Sequence, residues 1–183
     1  MNLKKIIKII TPVVLAVGIF LAELFSPGIY AAMTFLENIP LEYAVDEITL
    51  GYENYDDYKK EVDSGNITEF CKEADIANKD DFAICYLHTS VTNPNDNYIN
   101  FVKCKSVDSI SVNNHNFQFI AESKVYLGDE LHMILGKDAT VIERIVLVAM
   151  TKDDCKELIE NQDSANIEMT ICGRNADRFA ANL

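Results

Sequence analysis

Three lysines, Lys4, Lys5 and Lys8, stand ahead of an apolar run from Ile9 to Phe25 that is broken only by Thr11, Pro12 and Glu23. No other stretch restricts the chain so strongly, because a basic start followed by an apolar core is the layout of an export signal. Ile29-Tyr30-Ala31 then offers a small residue before a cut after Ala31, although Ile29 is larger than such sites prefer three residues back. If nothing is cut, Ile6 to Phe25 gives about twenty residues, enough at roughly 1.5 Å each to cross a hydrocarbon core. The lysines then stay on the cytoplasmic side and the rest lies outside. Both versions export the remainder of the chain. Residues 1–31 therefore read as a signal peptide or membrane anchor, and residues 32–183 as one domain placed in the periplasm, at the cell surface or in the medium.

Residues 1–31 hold three of the 16 basic groups and one of the 29 acidic ones, so the exported part carries 13 basic and 28 acidic groups, a balance of −15. Such a surface repels nucleic-acid phosphates and anionic headgroups, which excludes nucleic acid as a partner. It suits a solvated face or a protein partner with a basic patch.

The fold expected from pattern is α+β. Leu41, Val45, Ile48, Tyr52 and Tyr55 recur at steps of three and four, one stripe of an amphipathic helix between Leu36 and Val62. Tyr52 and Tyr55 fall on the stripe and belong to the core; Tyr43 and Tyr58 flank it as contact residues. Asp63-Ser64-Gly65-Asn66 stops that helix, and Ile67, Phe70, Cys71 and Ala74 suggest a second short one. An antiparallel meander comes next: a strand through Phe82, Ile84 and Tyr86, another near Tyr98–Val107, a hairpin turn at Asn113-Asn114-His115-Asn116, and a return strand from Phe117 to Leu127. Ile145–Met150 is apolar on both faces and reads as a covered strand. Thr151 caps a short helix from Lys152, and a final strand through Ile167, Met169 and Ile171 ends at Gly173.

Five cysteines, Cys71, Cys85, Cys104, Cys155 and Cys172, pair in an oxidising compartment. Their spacing leaves connectivity open. The preferred pairs are Cys71–Cys85 and Cys155–Cys172, each worth about 3 kcal/mol in the chain-entropy model. Cys104 is left as a buried thiol or an intermolecular link. Zinc-type spacing is missing, and Asn93, Asn95 and Asn97 lack the bidentate glutamate of a calcium loop. The sequence holds no nucleophile elbow, phosphate loop or dinucleotide fingerprint, and nothing marks a partner for His88, His115 or His132. No catalytic residue, metal or cofactor is expected.

Gly18-Ile19-Phe20-Leu21-Ala22-Glu23-Leu24 resembles the cleavage region of type IV prepilins, with a glycine before the cut, an apolar first residue and a glutamate fifth after it. The stretch Val148–Ile159, holding Cys155, and then Ile167–Gly173, holding Cys172, is similar to the cysteine-stapled C-terminal region of the larger pilins of the second subclass. The resemblance implies processing at Gly18 and a Glu23 that pairs with a neighbouring subunit's amino terminus. The chain departs from that family in carrying its longest apolar stretch before Gly18. Two roles are expected: an envelope structural or assembly protein, pilin-like or part of a secretion apparatus; or a periplasmic or secreted acidic module, an inhibitor or adaptor, for a basic partner. Both engage a membrane through the N-terminal segment and a protein partner or further copies of the chain.

Overall fold

A computed structural model describes residues 39–123 and 134–176. Met1–Glu37 and Asn38–Leu183 separate as two units, and the described residues belong to the second. Gly18, Glu23 and Ala31 lie outside them. So does His132. No helix among the described residues is long and apolar enough to cross a membrane.

The second unit is mostly antiparallel sheet curled into a half-barrel, which corrects the α+β expectation. Among the described residues, seven strands, β1 (Ile39–Tyr52), β2 (Ala83–Asn93), β3 (Ile99–Val112), β4 (His115–Asn116), β5 (Ala121–Glu122), β6 (Thr140–Met150) and β7 (Ala165–Asn175), lie in the order β4-β3-β7-β1-β2-β6-β5. Two nine-residue helices accompany them there, α1 (Tyr55–Asp63) and α2 (Lys152–Glu160). The order is not a meander. β1 sits at the centre, and β7, the last strand, lies between β3 and β1.

The long amphipathic helix expected over 36–62 is instead strand β1 and then α1. Leu41, Tyr43 and Val45 alternate with exposed residues, as a half-buried strand does. A register shift between Val45 and Glu47 then resets the alternation, so that Ile48 is buried three residues on. An inserted residue in a period of two thus imitates helical spacing. Ile39, Tyr43, Val45, Ile48 and Thr49 are β-branched or aromatic and favour the strand. The turn at residues 63–66 does end a helix: Ser64 caps α1 and Gly65 takes φ 74°. The second helix expected near residue 70 is absent there; a single 3-10 turn forms at Glu73–Asp75.

β2 and β6 pair over their whole length, and Val146–Met150 of β6 is covered on both faces. Cys85, Leu87, Val91, Val146, Val148 and Met150 face one cluster, which also draws on β1, β3 and β7 and fills the inside of the curl. Ile84, Leu147 and Ala149 face a second cluster with Tyr55, Tyr58, Cys71 and Phe82. α2 starts at Thr151, whose side chain accepts from the Asp154 N–H at 3.2 Å, and it turns Cys155 and Leu158 into the first cluster. The hairpin between β3 and β4 turns at Asn113 and Asn114, both at positive φ, as a two-residue type I′ turn requires.

Cys85 is bonded to Cys155, which corrects both expected pairs. β6 lies against β2 and leads directly into α2, so Cys155 comes down on β2 rather than on β7. Cys71, Cys104 and Cys172 are buried thiols. Tyr58, expected as an exposed contact, is fully buried. Its ring packs edge-on to Phe70, and its hydroxyl accepts from the Phe70 and Cys71 N–H groups at 2.9 and 3.1 Å.

Candidate functional site

β1 pairs with β7 only from Ile39 to Leu41, opposite Gly173 to Ile171. Beyond that point the two strands part. β1 continues against β2, and β7 continues against β3. Between them lies a cleft of about 550 Å³, lined by residues 43–48 on one side and by residues 162, 163 and 165–167 on the other.

Side chains bridge this cleft where backbone pairing stops. The Tyr43 hydroxyl donates to the Ile167 carbonyl at 3.1 Å and accepts from the Met169 N–H at 2.7 Å. On the opposite wall, the Ile48 N–H donates to Gln162 Oε1 at 3.0 Å. An unmade backbone bond is costly in a half-buried place, so these side chains satisfy groups that a neighbouring strand would otherwise take. Tyr43, Val45, Ala165 and Ile167 are partly buried against the inner core at the base of the cleft, and the surface left open to solvent is mostly polar. Asp46, Glu47 and Asp163 stand exposed at its rim, and the described lining includes no lysine or arginine. The site is therefore largely polar, anionic at its edge, and bordered by strand backbones.

Other candidate chemistry is engaged elsewhere. His88 Nε2 lies 2.8 Å from Thr49 Oγ1, and Ser90 donates to Asp46 rather than to a histidine. His115 faces Glu157 at 3.5 Å on an exposed surface. Asn93 is buried and donates to the Asn97 and Gly136 carbonyls at 2.9 and 2.6 Å, while its oxygen accepts from Asn95. The asparagine loop is thus held by its own hydrogen bonds. Burial, then the charges of Asp75 and Glu69, pushes the Cys71 thiol up to about 11. Burial, then Glu122, pushes Cys104 to about 12. Neither is a reactive thiolate at neutral pH. Among the described residues, no cluster of three or more metal-ligating side chains occurs.

Of the residues singled out in the sequence, the structure puts Tyr43 in the cleft and Tyr58 in the core. Gln162, Asp163, Glu47 and Ile167 emerge only from the fold. Their one sequence signal is weak: two acidic residues, Asp46 and Glu47, where the alternation of β1 breaks.

No protein-family model, no curated protein and no solved structure matches this chain.

Proposed function

We propose that this chain is an exported, acidic binding module, an adaptor or inhibitor, whose cleft between β1 and β7 receives a basic segment of a protein partner. One observation carries the reading: two strands part and leave a largely polar cleft with an anionic rim. The carboxylates select and steer a cationic partner. Export rests on the N-terminal segment, and the disulfide within the second unit suits an oxidising compartment. The N-terminus of the mature protein separates an anchored or freely exported module from a pilin-type subunit. A start at Ile19 favours the subunit, a start near Ala32 the free module, and an intact N-terminus the anchored one.

The test is calorimetric titration of the full-length chain, in nonionic detergent, with a hexapeptide alternating lysine and valine. Binding is expected to weaken roughly tenfold between 50 and 500 mM salt. Reversing three rim charges, Asp46→Lys, Glu47→Lys and Asp163→Lys, is expected to abolish it. Equal binding by the reversed variant overturns the assignment of the cleft.

A further inference from the structure

We infer that the partner segment enters the cleft as an added β-strand and displaces the side chains of Tyr43 and Gln162 from the strand edges they now cover. This rests on the function proposed for the cleft and adds the mode of recognition. The Ile167 carbonyl and the Met169 N–H are an acceptor and a donor two residues apart on one edge of β7. That spacing is what the backbone of a neighbouring strand fills. A single hydroxyl, acting as donor and acceptor at once, stands in for one residue of a missing strand. Gln162 Oε1 plays the same part for the Ile48 N–H on β1. Both walls therefore present strand hydrogen-bonding groups that end in side chains.

The dimensions agree. A tyrosine side chain with its hydrogen bond reaches roughly twice the 4.7–4.9 Å spacing of paired strands, so the bridged gap is about one strand wide. The lining of β1 runs from Tyr43 to Ile48, the length of a short strand. Charge selects the occupant. A second copy of this chain, with a net charge of −13, would bring like charges to an anionic rim. An extended segment with lysines or arginines on alternate residues sets cations against Asp46, Glu47 and Asp163 and turns its other residues toward the partly buried Val45 and Ile167.

The experiment compares the lysine–valine hexapeptide with the same peptide methylated at alternate backbone nitrogens, each titrated into the full-length chain in nonionic detergent. Methylation keeps the charges and removes the donors along one edge of the strand. The expected result is a loss of at least roughly tenfold in affinity for the methylated peptide. The Tyr43→Phe variant, which lacks the competing hydroxyl, is expected to bind the unmodified peptide about fivefold more tightly. Equal affinity for the two peptides overturns strand addition and leaves docking by charge intact. Weaker binding by Tyr43→Phe overturns the displacement step. Failure of both peptides to bind overturns strand addition and the function proposed for the cleft together.

Discussion

Replacing Cys85 and Cys155 together with alanine is expected to lower the stability of the second unit by about 4 kcal/mol. The bond joins β2 to α2 across a sequence separation of 70 residues, so in the chain-entropy model it restricts the unfolded chain more than either pair preferred from spacing would. For a unit of this size the loss corresponds to a fall in melting temperature of roughly 10–15 °C. Both sulfurs lie in the inner core, where the bond holds α2 against β2 and leads the chain on toward Gln162 and the cleft. Thermal unfolding of the oxidised wild type, the reduced wild type and the double variant reads the effect. Mapping of the oxidised protein should link the peptide of Cys85 to that of Cys155. Cys71 and Cys104, both fully shielded, should alkylate only after unfolding.

A loss of similar size is expected for Tyr58→Ala, about 4–5 kcal/mol. The ring fills the second core cluster and touches Tyr52, Tyr55, Phe70 and Phe82. Truncation leaves a large cavity and also orphans two backbone N–H groups, those of Phe70 and Cys71. Tyr58→Phe separates the two contributions: it keeps the ring and removes the hydroxyl, for an expected loss of about 2 kcal/mol. Burial also holds the Tyr58 hydroxyl above the ordinary phenol range, so it stays protonated and donates to the Cys71 carbonyl at 3.4 Å through neutral pH. Urea midpoints of the two variants against wild type check both values.

Tyr58 also shows where sequence pattern stops being informative. A tyrosine beside an apolar stripe reads as a surface contact, and only the packing of residues 67–82 over α1 makes it central. Local chemistry carried further where it acts alone. The Thr151 cap, the Asn113-Asn114 turn and the apolar run of β6 correspond to the observed helix, hairpin and doubly covered strand. β1 was hidden by its own irregularity, since a register shift at Val45–Glu47 converts a period of two into steps of three and four. The disulfide was hidden by strand order, because Cys155 finds Cys85 only once β6 has paired with β2. The cleft was the least legible feature. It forms where residues more than a hundred positions apart, Tyr43 and Ile167, meet at strands that have stopped pairing. The local signals are slight: a tyrosine on the inner side of β1, and the acidic pair Asp46 and Glu47 where its alternation breaks.

The most direct measurement of the cleft's role is a nitrogen-15 amide spectrum of the full-length chain in detergent, recorded as the lysine–valine peptide is added. The amides of Ile48, Ile167 and Met169 are expected to move together and to saturate at one peptide per chain. Shifts confined to residues outside the cleft, with those three amides unmoved, overturn the assignment of the cleft.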